Sequence, residues 1–436
     1  MNGTLSKSAL VLATIFLLGS VLAVPVVSAE GAQAPIWNEG DSWAMGKSVD
    51  LDQEFADQLN GLELVLENAP NATVNEFNVQ ALASAWILFK VADVTTSEYN
   101  LQGQFAAKFA GEAHISVTMD MSKPGTYDWY AIPTEPRTVA VDLTVDSAMV
   151  VDATVILQKD TAAVKSIQVD MMASALVEVY LTNIPEMTTS EGMTTIVYHD
   201  YHVKLTFDFH MTIHIAFDPS LDIFQFPINV GEEWDVNSNV TLTGTVGGFL
   251  DINGLPAEAE EEFFQNEVLQ DANITSFPID FAKIIKSDDP PISNGEIGPV
   301  TGEINAHMSC VSSETVTLPL HGLVTIYKIL VNDSSNAIYY SDDTHFLTSI
   351  EASSSDLVIT VLPFELPLSD QMMQMDEVAP NTAEQQINEV SDYRSTIAGE
   401  VDGESSPFAS FMLLAMILAA VLVIAIVLAF LLIRKK

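Results

Sequence analysis

The chain has 436 residues, 48% of them hydrophobic, with 59 acids against 16 lysines and arginines, a formal net charge of −43 and one cysteine. That apolar content suffices for packed cores and argues against disorder, while the acidity makes nucleic acid and anionic lipid surfaces poor partners. Cys310 has no second cysteine to pair with and reads as a small buried hydrophobe, so packing must hold the fold together.

In chain order, Lys7 precedes an apolar run from Ala9 to Val24, Pro25 closes it, and Val27-Ser28-Ala29 offers small residues for cleavage before Glu30. Residues 1–29 therefore read as a secretory signal peptide. The mature part opens on Gly40-Asp41-Ser42-Trp43, and Gly231-Glu232-Glu233-Trp234 repeats the pattern much later. A glycine turn, an acid and an inward indole suit the start of a strand. Each copy is followed by a helix candidate. After the first, Leu51, Phe55 and Leu59 recur at four-residue spacing; after the second, Pro256 and a run of glutamates precede Phe263, Phe264, Val268 and Leu269. The repeat predicts two β-rich lobes, 30–218 and 219–366.

Between these marks the dominant period is two, as in Val139 to Val145 and Ile167 to Met171. The clearest case runs from Val203 to Phe217, where Val203, Leu205, Phe207, Phe209, Met211, Ile213, Ile215 and Phe217 alternate with polar neighbours. A strand of that length, about 50 Å, suits a strongly curved sheet. Shorter versions follow at Val316 to Leu320, Leu323 to Val331, Ala337 to Tyr340 and Leu357 to Leu362. The expected fold class is mainly β: curved antiparallel sheet, half-barrel or sandwich-like, with a few covering helices.

Residues 367–407 lose the alternation, set many acids against Arg394 alone and are interrupted by Gly399, Gly403 and Pro407, which reads as an extended acidic stalk. Phe408 to Ile433 then carries no charge and no proline. At 1.5 Å per residue it reaches about 39 Å, more than the roughly 30 Å of a bilayer core. Arg434, Lys435 and Lys436 follow directly, so a single transmembrane helix over 408–433 would leave 434–436 in the cytoplasm and the bulk of the chain outside, a single-pass type I arrangement.

Chemistry-bearing patterns are sparse. His199, His202, His210 and His214 lie close in sequence, but on a strand His210 and His214 are about 13 Å apart, too far to share a metal unless an adjacent strand, such as one carrying His114, contributes. Asp235-Val236-Asn237-Ser238-Asn239 has alternate oxygen ligands but lacks the glycine and the closing acid of a calcium loop; Ser287-Asp288-Asp289-Pro290 with Asn294 and Glu296 is a rival acidic loop. No metal site and no cofactor is expected beyond loosely bound divalent cations. Hydrolase, metalloprotease and phosphate-loop signatures are absent, so a hydrolase without a recognisable motif ranks last among the roles. Asn71, Asn239, Asn273 and Asn332 begin glycosylation sequons, of use only in a host that glycosylates. Two roles remain. In an envelope structural or interaction protein, with other envelope proteins as partners, the face bearing Phe207, Phe209, Met211, Ile213 and Ile215 is plain core. In a lipid-binding or carrier ectodomain it is the ligand face.

The leader, acidic ectodomain, acidic stalk and basic-tailed final helix, with the Gly-Asp-Ser-Trp and Gly-Glu-Glu-Trp openings, resemble archaeal cell-surface ectodomain proteins. Some of those carry Pro-Gly-Phe before the helix for processing, where this chain has Pro407-Phe408. A curved sheet with an apolar inner wall is also similar to bacterial lipoprotein-carrier folds.

Overall fold

The computed structural model describes residues 31–59, 72–119, 136–265, 270, 274–280, 292–318, 322–332, 337–341 and 376–399, less positions 54, 58, 191, 192 and 294. The expected leader, transmembrane helix and Leu357–Leu362 strand lie outside them. No helix among the described residues is long and apolar enough to cross a membrane.

The period-two patterns become one antiparallel sheet. Its strands are β1 (Ser42–Asp50), β2 (Ala72–Val94), β3 (Glu98–Met119), β4 (Arg137–Gln158), β5 (Val164–Ser190), β6 (Met193–Leu221), β7 (Glu233–Asn253), β8 (Ile279–Asp280), β9 (Ile292–Ser293), β10 (Glu296–Leu318), β11 (Gly322–Val331), β12 (Ala337–Tyr340) and β13 (Asp376–Val378). The spatial order is β12-β11-β10-β7-β6-β5-β4-β3-β2-β1-β13, with β8 paired to β7 and β9 to β10 off that path. It is a meander whose long strands run to 29 residues in β6, and a 22-residue strand is already about 70 Å long. Among its helices are α1 (Ala257–Phe264) and α2 (Pro380–Gly399). The helical residues at 52–59 and α1 stand where the apolar spacing and Pro256 place them.

The long strands present one apolar side to an inner face, and two clusters occupy the ends of that face. The first gathers Trp37, Trp43, Tyr99, Leu101, Phe217, Phe224, Trp234, Met308 and Tyr340. The second gathers Leu51, Phe55, Leu59, Phe109, Val145, Val177, Phe207 and Phe209. Small residues make room for the 52–59 helix: a Cβ on Gly111 would stand 3.0 Å from both Phe55 and Phe109. The sheet is curled, and the segment before β1 shows why. Ala32 bridges Ile228, the Tyr340 hydroxyl donates to the Gln33 carbonyl at 2.6 Å, and Trp37 packs edge-on to Tyr99 at 4.9 Å before β1 begins. Across a flat sheet β12 and β1 would be about 43 Å apart. The segment from Gln33 to Trp43 contains a tight turn and cannot reach that far, since even fully extended it spans about 34 Å.

The two repeated openings adopt matching turns. Asn38 N–H donates to the Asp41 carboxylate at 2.8 Å and Asn229 N–H to that of Glu232 at 3.2 Å, while Gly40 and Gly231 take φ of 91° and 88°. Each then pairs with a neighbouring strand in the same way: Gly40 N–H with the Val91 carbonyl at 2.9 Å, Gly231 N–H with that of Cys310 at 2.7 Å. They do not open separate lobes, however. β6 and β7 pair without a break from Lys204↔Asn253 to Asp218↔Asn239, and Trp43 and Trp234 lie in the same cluster. One sheet replaces the two expected lobes because the curl brings both indoles to one end.

The acidic stalk is also corrected within the described residues. Residues 376–378 form β13 on the edge of β1, and α2 lies on the outer face. Ala383, Ile387, Val390 and Ile397 recur at helical spacing and pack on Ala44, Trp86, Leu88, Ala106, Ala148, Val150 and Leu176. Pro380 opens the helix and Gly399 closes it, as those residues favour. The polar contacts beneath it are specific. The Tyr393 hydroxyl donates to Asp146, Lys108 sits 3.6 Å over the Tyr393 ring, and Arg394 reaches Asp208 at 3.4 Å and Ser174 at 3.2 Å. Burial and the adjoining Asp146 hold the Tyr393 phenol well above its ordinary pKa, so it remains a donor.

Candidate functional site

Between its two packed ends the inner face is apolar and in part only half-buried, with Ile87, Phe89, Val169 and Ile213 packing against the first cluster and Met149, Met171 and Met211 against the second. Strand register lines up Met45, Ile87, Phe105, Val151, Met171, Met211 and Val246 in one row across β1 to β7. Of these, Ile87, Phe105, Val151, Met171 and Met211 are half-buried. The row on one side reads Lys47, Ala85, Ala107, Met149, Ala173, Phe209; the row on the other reads Trp43, Phe89, Gly103, Ala153, Val169, Ile213. Six strand spacings make this band about 29 Å wide along the arc. Lys47 is the one charged residue in the three rows.

The expected ligand face is thereby divided. Phe207, Phe209 and Ile215 are 6%, 0% and 8% exposed and belong to the end clusters, whereas Met211 and Ile213 stand in the half-buried band. Their counterparts on neighbouring strands, above all Phe105, Met149, Val151 and Met171, went unnoticed in the sequence. The signal was available in the alternation of β3, β4 and β5, but not the register that aligns them.

No protein-family profile, curated protein or solved structure matches this chain. The site therefore has to be read from its own chemistry. Met45, Met149, Met171 and Met211 fall within two adjacent rows, and methionine is flexible and polarizable, able to mould to different apolar shapes.

The other candidate sites are placed as follows. His202, His210 and His214 lie on β6, and His114 is on β3, separated from β6 by β4 and β5, so the adjacent-strand ligand set is not assembled. His202 stacks on Tyr180 with ring centres 4.0 Å apart and lies 3.4 Å from Glu178; His114 pairs with Asp142 at 2.5 Å. Among the described residues no group of three or more metal-binding side chains is assembled. Asp235 to Asn239 is part of strand β7 rather than a calcium loop, with Asp235 2.9 Å from His307. Of the rival acidic loop, residues 287–290 and Asn294 lie outside the described residues, and Glu296 begins β10. Asn239 is exposed with its amide donating to the Asp218 carbonyl at 3.0 Å, and Asn332 is exposed and accepts from His307 N–H at 2.8 Å. Asn71 and Asn273 lie outside the described residues. Cys310 is buried, and desolvation together with Glu232 pushes its thiol upward, away from the reactive thiolate.

Proposed function

We propose that this protein binds an apolar ligand, of the lipid class, along the central band of its inner face, as an extracytoplasmic protein held to the membrane by residues 408–433. The observation that carries the reading is the row of half-buried apolar side chains from Ile87 to Met211, at whose centre Phe105 and Val151 belong to neither packed cluster. A face meant only as core gains by packing throughout, since each buried methylene is worth about 0.8 kcal/mol. A binding surface instead leaves apolar area for its ligand to cover, with few polar groups to desolvate. The band's width of about 29 Å compares with about 15 Å for the chains of one bilayer leaflet, so one extended chain or two shorter ones suit it. The methionines fit a site that accepts chains of differing shape.

Native mass spectrometry of the purified full-length protein, with extraction and identification of bound lipid, tests the reading. Stoichiometric lipid that survives purification supports it. An empty protein that assembles with itself or with other envelope components overturns it and favours the structural role.

A further inference from the structure

The band has one polar end. By the alternation of β1, Trp43, Met45, Lys47 and Val49 share the inner face, and Lys47 is half-buried there, opposite Ala85. Among the described residues it has no ion-pair or hydrogen-bond partner, in a chain where acids outnumber lysines and arginines 59 to 16. Only the short β13 lies beyond β1 in the strand order of the described residues, pairing with Ala44 to Gly46, so the half-buried Lys47 stands near the rim. From it the register leads over Ala85 and Ala107 to Met149, small side chains followed by a flexible one. Ile87 and Phe105 flank this line on one side, Val49, Ala83 and Phe109 on the other. In register, then, small side chains, Ala85 among them buried, draw a furrow between larger ones that starts at a cation and continues into apolar side chains.

We infer that Lys47 reads the head of the ligand, and that the furrow takes a single-chain amphiphile with a carboxylate head, its chain lying over Ala85 and Ala107 toward Met149 and Met171. The assignment rests on the apolar-ligand reading above and adds the headgroup. An ammonium on a lysine stem can stay hydrated at the rim while its methylenes line the furrow, and a carboxylate there gains a charge-assisted contact. The acidic exterior repels free anions at long range, but solvent ions screen that repulsion over about 10 Å at 0.1 M salt, and the contact at Lys47 is local. A neutral head gains no such contact.

The test uses the full chain in lipid nanodiscs, with cis-parinaric acid and its methyl ester as fluorescent probes and protein-free nanodiscs to subtract partitioning. The acid is expected to bind about tenfold or more tightly than the ester, the scale of one charge-assisted contact. Lys47→Met should erase that preference while leaving ester binding in place, and Lys47→Arg should retain it. An acid preference that persists in Lys47→Met, or is absent from the wild type while both probes bind, overturns the headgroup assignment and leaves the apolar site standing. If neither probe binds the wild type, both readings fall together. The thermal midpoint of Lys47→Met, expected near that of the wild type, ensures that lost binding is not lost folding.

Discussion

Arg394→Met tests whether α2 is held to the sheet by a buried charge. Arg394 and Asp208 have side chains only 15% and 9% exposed, with Nη1 and Oδ1 3.4 Å apart, and Asp208 also accepts from the Ser174 hydroxyl at 2.6 Å. At an effective dielectric near 20 that separation corresponds to about 5 kcal/mol of attraction. Removing the guanidinium leaves the carboxylate buried with the Ser174 hydroxyl as its remaining donor among the contacts described. Such orphaned charges cost about 3–5 kcal/mol. Arg394→Met should therefore lose stability on that scale, and Asp208→Asn added to it should recover a good part, because an amide carries no charge to strand. Urea titration followed by tryptophan fluorescence reads both, and Trp86, packed beneath α2, reports undocking of the helix directly. A loss under about 1 kcal/mol, the range of an exposed pair, or a double variant no more stable than Arg394→Met, would refute the argument.

Three further outcomes follow from the packing and the charge. Trp43→Ala and Trp234→Ala should each cost about 3–5 kcal/mol and shift one common transition, since both indoles belong to one cluster; two separable calorimetric transitions would contradict the continuous core. A Cβ at Gly46 would stand 1.8 Å from Trp86 Cε3, so Gly46→Ala must displace the indole, lowering stability by about 1–3 kcal/mol and changing its emission; unchanged values would disprove that contact. With a net charge of −43, the thermal midpoint should rise from low to molar salt, and a flat profile would mean that bound cations already neutralise the acids.

The alternation of β6 was enough to assign its apolar and polar sides, and Pro256 and the Leu51-Phe55-Leu59 spacing were enough to place helices, because strand and helix periods are local properties of the chain. Helix α2 was legible in principle: Pro380, Gly399 and the stripe from Ala383 to Ile397 mark it. The acids around that stripe made the segment read as a stalk, since a one-sided helix needs few apolar residues and its average composition hides them. The paired Gly-acid-x-Trp turns were visible as well, with their hydrogen bonds now accounted for.

Tertiary structure alone decided what those local patterns serve. Phe209, Met211, Ile213 and Ile215 belong to one alternating run, yet the outer two are buried and the inner two half-buried. The difference lies in which segments are drawn over each end of the inner face: residues 32–43 and 222–231 at one, the 52–59 helix and α1 at the other. Register did the same for Lys47, which in sequence is one lysine in a short strand and in space is the one charge on an apolar band. Sequence determines which side of a strand a residue occupies through bond geometry, whereas what lies opposite that side depends on residues far along the chain.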